Sequence, residues 1–155
     1  MRDDKANLLA VLQSQQQGCG HPPNTLSVLQ AVQQALGYIP ADANALIARH
    51  VGVTEAEVDG VLSFYPDLRR RPPGRHLVRV CMGESCFANR SSRILTALAE
   101  ELRIGLNATT ADGRFTLERV YCVGNCAVAP SLVIDEDVHG RVEPAQISSL
   151  LDEYR

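Results

Sequence analysis

The sequence predicts an α/β chain in two parts, a helical bundle over residues 1–71 and a mixed strand-and-helix domain over residues 72–155. Three observations carry this. Apolar residues recur at helical spacing from the N-terminus to Phe64. "RRRPPG", residues 69–74, then breaks the pattern with two prolines and a glycine. Beyond it, short runs rich in β-branched residues alternate with amphipathic stretches. With 155 residues, the chain has room for a small helical module and a compact second unit.

Residues 3–17 read as a first helix, ended by "GCGHPP", residues 18–23, where glycines and prolines exclude its continuation. Asn24 is placed to cap a second helix, in which Leu26, Leu29, Val32 or Gln33, and Leu36 fall on one face before Gly37 stops it. A third runs from about Ala41 to His50, with Leu46, Ile47 and Val51 as its apolar side and Gly52 as a C-terminal signal. "TEAE", Thr54 to Glu57, is a capping box: the Thr54 hydroxyl accepts from the Glu57 amide while the Glu57 carboxylate reaches back. The fourth helix turns Val58, Val61 and Leu62 inward, and Pro66 closes the region. Phe64 and Tyr65 are assigned to core and helix-end packing rather than to an electron relay. The arginines of the linker read as a solvated stretch, with docking to an acidic partner as the functional alternative.

In the second part "HLVRVC", residues 76–81, is a strand and "RSSRILTALAEEL", residues 90–102, a helix with Ile94, Leu95, Leu98 and Leu102 on one face. "RFTLERVYC", residues 114–122, is a second strand with Phe115 and Leu117 on the same side. "SLVIDE" and "HGRVE" are two short strands around a turn. Pro144 opens a last helix that aligns Ile147, Leu150, Leu151 and Tyr154.

Hydrophobic residues at 45% and charged residues at 21% describe an ordinary globular chain, with no apolar run long enough to insert in a membrane. The N-terminus carries two acids and turns polar early, unlike an export signal, so a cytoplasmic protein is expected. A net charge of −3 argues against a general nucleic-acid binder. No G-x-G-x-x-G stretch is present, so a dinucleotide would have to bind to another chain.

Of five cysteines, Cys81 and Cys86 form a C-x4-C pair and Cys122 and Cys126 a C-x3-C pair, each following a strand. Adjacent strand ends would let the four thiols converge. A reducing compartment argues against disulfides. Zinc suits four thiolates, although its usual spacing is C-x2-C. A [2Fe–2S] rhomb, larger than one ion, fits wider pairs in loops that carry Gly83 and Gly124, whose backbone can approach the sulfides and offer N–H donors. Spacing favours the cluster and leaves zinc open. The scattered histidines, His21, His50, His76 and His139, are not needed as ligands.

"CMGESC" followed by "YCVGNCAVAPSLVID" resembles the thioredoxin-like [2Fe–2S] subunit of NADH-dehydrogenase modules, found in respiratory complex I, NAD-linked hydrogenases and soluble NAD-dependent formate dehydrogenases. "LSVLQAVQQALGYIP", "VTEAEVDGVLSFYPDLRRRPPGRHLVRVC" and "TTADGRFTLERVYC" extend the likeness, in order, over nearly the whole chain. "PPGRH", "ATTADGRFTLERVYCVGNCAVAP" and "VHGRVEP" are most similar to the formate dehydrogenase gamma branch. The resemblance implies a thioredoxin-like [2Fe–2S] ferredoxin domain preceded by an N-terminal helical bundle. It also implies Cys81, Cys86, Cys122 and Cys126 as the cluster ligands, with no catalytic residue of the chain's own. The partners implied are an FMN- and NAD-binding flavoprotein subunit, which exchanges single electrons with the cluster, and a molybdenum- or tungsten-bearing, formate-oxidising subunit. The equivalent subunit of complex I or of a hydrogenase is the alternative within the family, and a non-redox, zinc-stabilised assembly module the alternative outside it. Cys19 matches no ligand position and is expected to be a free thiol; "FANRSS", after Cys86, is more polar than the family pattern.

Overall fold

The computed structural model describes residues 2–17 and 23–154, with positions 2–5 and 15–17 described by backbone alone. Cys19, His21 and most of the glycine–proline break lie outside the described residues. The chain divides into two compact units, Met1–Pro72 and Pro73–Arg155.

The first unit contains α1 (Arg2–Gln17), α2 (Thr25–Leu36), α3 (Ala43–Val51) and α4 (Glu55–Phe64). The Asn24 side chain caps α2 by accepting from the Ser27 amide at 2.9 Å, and Gly37 ends it in a left-handed conformation. The Thr54–Glu57 capping box starts α4. Leu8, Leu12, Val28, Leu29, Val32, Ile39, Ile47, Val58 and Leu62 form one aliphatic core. In α2 the core position is Val28, not Leu26, because the buried face runs through Val28, Leu29 and Val32.

Two expectations fail here. Phe64 is 76% exposed and Tyr65 38%, so neither packs in the core. The inward face of α4 is set by Val58 and Leu62, and Phe64, two residues after Leu62, points about 200° away from it. The two rings meet edge to face, with centroids 5.1 Å apart. The linker is also not wholly solvated. Arg70 folds back to pair with Asp59 and donates to the Asn44 Oδ1 at 2.8 Å.

The second unit is a five-stranded sheet, built from β1 (His76–Cys81), β2 (Ala108–Thr109), β3 (Phe115–Val120), β4 (Ser131–Ile134) and β5 (Asp137–Gly140) in the order β2-β3-β1-β4-β5. β1 and β3 are parallel; the other pairs are antiparallel. Parallel neighbours require a crossover, and this one holds α5 (Glu84–Ala88) and α6 (Ser91–Leu102). Val78 and Val80 of β1, Phe115 and Leu117 of β3, and Leu132 and Ile134 of β4 bury against Ile94 and Leu98 of α6 and against Ile147 and Leu151 of α7 (Ile147–Asp152).

Four local features were not foreseen: α5, the two-residue strand β2, and the 3-10 turns Cys126–Val128 and Pro144–Gln146, the latter preceding α7. The strand placed over residues 139–143 is Asp137–Gly140 instead. Asp135 takes a left-handed φ of 53°, which turns the chain early enough for Ile134 to pair with Asp137.

Candidate metal centre

The site is built where the two parallel strands end. Cys81 stands opposite Val120, and the Met82 amide extends the ladder by donating to the Val120 carbonyl at 2.8 Å. Both chains leave the sheet at that edge. From β1 the path turns at Gly83 into α5, and its first turn returns Cys86 beside Cys81. From β3 it passes Tyr121 and Cys122, bends at Gly124, and enters the 3-10 turn Cys126–Val128.

The two glycines have different physical roles. Gly83 has an ordinary φ of −63°, so conformation does not demand it. A Cβ there would stand 2.5 Å from the Tyr121 carbonyl oxygen and 3.5 Å from the Cys122 Cβ. Gly83 is the point where the two cysteine loops touch. Gly124 has open space around it but a φ of 77°, which favours glycine, and its amide donates to the Cys122 sulfur at 3.3 Å. The loops are joined again where the Ser85 hydroxyl donates to the Cys126 carbonyl at 3.4 Å. Ser131, at the start of β4, donates to the Asn125 carbonyl at 3.4 Å.

Cys81 and Cys86 are each only 2% exposed, whereas Cys122 and Cys126 are exposed, and all four are free thiols. Burial pushes the Cys86 thiol up, and the adjoining Cys81 adds to the push; the Ser131 amide and hydroxyl oppose it. The proton is thus favoured on the Cys86 sulfur unless a cation compensates its thiolate. Among the described residues, no three of His, Cys, Asp and Glu stand close enough to hold a single metal ion. The arrangement is two cysteine pairs on touching loops. Four thiols as the donor set, an amide already directed at one sulfur, and a glycine that brings the loops together all fit a binuclear iron–sulfur group.

Among the described residues, the two histidines of the second unit are engaged by other side chains. His76 Nδ1 lies 2.8 Å from Asp135 Oδ2, His139 Nε2 lies 2.9 Å from the Tyr154 hydroxyl, and His50 belongs to the first unit. Sequence reasoning missed Phe87 and Tyr121, 59% and 67% exposed, each one residue beyond or before a cysteine. The signal was present for Tyr121: it follows the last residue of β3, where the chain leaves the sheet and cover from neighbouring strands ends.

A parallel strand pair with a helical crossover, an antiparallel flank, and paired cysteines on both loops at one sheet edge define a thioredoxin-like ferredoxin. The chain belongs to the thioredoxin-like [2Fe–2S] ferredoxin family, which it matches over residues 10–155, and its cofactor is a [2Fe–2S] cluster. It is 44% identical over 108 residues to an NADH-quinone oxidoreductase subunit of Pseudomonas aeruginosa, a stretch covering 70% of this chain and 65% of that one. It is 38% identical over 113 residues to the NADP-reducing hydrogenase subunit HndA of Solidesulfovibrio fructosivorans, covering 73% and 66%. The chain therefore spans just under two thirds of the length of these curated relatives. The crystal structure of an NAD+-reducing [NiFe]-hydrogenase shares the fold, with a TM-score of 0.68 at 22% identity over 86% of this chain and 23% of that one. Among the described residues, no helix is long and apolar enough to cross a membrane.

Proposed function

We propose that this chain is an electron-transfer subunit that holds one [2Fe–2S] cluster through Cys81, Cys86, Cys122 and Cys126. It exchanges single electrons with the flavin of an NAD-binding partner subunit in the cytoplasm. When bound, the cluster supplies a one-electron couple. The chain's own contribution is position and electrostatics. β1 and β3 fix the two loops, Gly83 sets their separation, and the Gly124 amide places a positive dipole end on the Cys122 sulfur. The observation that carries the reading is the meeting of the two cysteine loops at Gly83 and Ser85. Anaerobic purification with iron and acid-labile sulfide analysis, followed by electron paramagnetic resonance after reduction, tests it. Two irons and two sulfides per chain with a reduced-state signal are expected. Stoichiometric zinc without labile sulfide would refute it.

Within that role, the formate dehydrogenase gamma subunit is the assignment favoured by "PPGRH", "ATTADGRFTLERVYCVGNCAVAP" and "VHGRVEP", with a formate-oxidising subunit in the same complex. The second reading is the equivalent subunit of an NADH-quinone oxidoreductase or a hydrogenase, supported by the relatives of 44% and 38% identity. Affinity purification of the tagged chain from its native cells separates them: a formate-oxidising, molybdenum- or tungsten-bearing chain supports the first, and quinone- or hydrogen-reactive subunits support the second.

A further inference from the structure

Beside the cysteine loops lies a cavity of about 460 Å³ lined by Asn89, Arg90, Arg93, Ile94, Ala129, Pro130, Arg141, Val142, Glu143 and Pro144. Its walls continue the site: Asn89 and Arg90 follow α5, which carries Cys86, and Ala129 and Pro130 follow the turn that begins at Cys126. Three arginines and a single acid, Glu143, line the cavity, in a chain whose overall charge is −3. None of the three is held by an ion pair or side-chain hydrogen bond to a described residue. This contrasts with Arg70, Arg79 and Arg114, each engaged by the chain's own oxygen atoms. Arg90 and Arg141 both take left-handed backbone conformations, with φ of 64° and 54°, at the turns that bring their segments to the cavity. Ile94 and Val142, both buried, supply an apolar floor.

Unpaired guanidinium forks over an apolar floor suit carboxylates carried on a polypeptide: each fork can take a carboxylate in bidentate fashion while an adjacent apolar side chain fills the floor. We propose that this cavity is the docking site for a carboxylate-bearing segment of the redox partner, an inference that rests on the electron-transfer reading above. Charge complementarity selects the segment. The shared walls place it against the loops of Cys86 and Cys126, so the same contact that recognises the partner orients it over the cysteine edge. Steering by such a patch raises the association rate and makes it depend on salt.

The test measures association of the cluster-loaded full chain with the purified NAD-binding flavoprotein subunit, for wild type, R93E/R141E and a charge-matched control, R49E/R75E, at two exposed arginines outside the cavity. Visible absorption verifies that each variant keeps its cluster. The expected result is about a 100-fold weaker association for R93E/R141E, a change below about threefold for the control, and a wild-type affinity that falls with added salt. Equal binding by R93E/R141E and the control overturns the docking assignment and leaves the electron-transfer reading standing; no binding by wild type sinks both. Calorimetric titration with inorganic pyrophosphate separates the remaining occupant. Binding tighter than about 0.1 mM that is lost in R93E/R141E would make the cavity a site for free phosphate and overturn the docking segment.

Discussion

The two ends of the sheet in the second unit are built on opposite terms. At the end where β1 and β3 begin, side chains tie the elements together. Asp135 accepts from the Leu77 amide at 2.8 Å and pairs with His76, and Arg79 donates to the Asp135 carbonyl at 2.6 Å. Arg114 donates to the Leu151 carbonyl at 2.8 Å and to that of Tyr154, and the Tyr154 hydroxyl donates to Asp137 at 2.9 Å. At the end where β1 and β3 finish, the loops carry two exposed thiols, two exposed aromatic rings and few cross-links. The fastened end holds strand register without help. The sulfur end has fewer such ties, and binding of the proposed cluster there would add to folding energy.

The largest effect expected from breaking this contrast is at the sulfur end. Cys86→Ser should cut iron and labile sulfide below about a tenth of the wild-type content while far-ultraviolet circular dichroism stays near wild type. Loss of the sheet signal as well would show that the two ends are not independent. Next is Gly83→Ala, whose methyl group has to displace the Tyr121 carbonyl and so costs on the order of 1–3 kcal/mol. It should lower the stability of the cluster-free protein and shift the visible dichroism of the loaded one; Gly124→Ala, strained in backbone but sterically open, provides the comparison.

At the fastened end Asp135→Ala removes the acceptor for the Leu77 amide and the partner of His76. A loss of about 1–3 kcal/mol in denaturant unfolding is expected, with cluster content unchanged. The smallest effect concerns alkaline pH. Burial, followed by the hydrogen bond to Asp137, pushes the Tyr154 phenol up to about 12 from an ordinary value of 10.0. Its folded-state pKa exceeds the unfolded one, so its contribution is intact below pH 10 and is lost as pH rises from there towards 12. One of the four tyrosines should therefore titrate late in ultraviolet difference spectra, and Tyr154→Phe should remove both that step and its share of the alkaline loss of stability.

Legibility in the sequence divides along the same line. Helix periodicity, the Asn24 cap, the Thr54–Glu57 box and the strand of residues 76–81 were readable because each is decided by neighbours within a few positions. The cysteine pairs were readable as pairs. Their meeting was not, because it depends on the parallel register of two segments some 40 residues apart and on Gly83 lying against Tyr121 and Cys122. Gly83 was expected to admit the cluster's sulfides, and its immediate neighbour proves to be the other loop. Phe64 was misplaced because aromatic character alone suggested burial, whereas the helical angle from Val58 and Leu62 turns it outward. α5 escaped notice because five residues are too few to show a period.

The alignment of Cys81 with Val120 constrains how such a chain can vary in length. A residue gained or lost between α6 and β2 can be taken up by the connection on the far side of the crossover. One gained or lost inside β1 or β3 would carry a sulfur along by about 3.3 Å and reverse the face from which it projects. Insertions are thus tolerable between α6 and β2 and forbidden in the two six-residue strands that set where the cysteine loops begin.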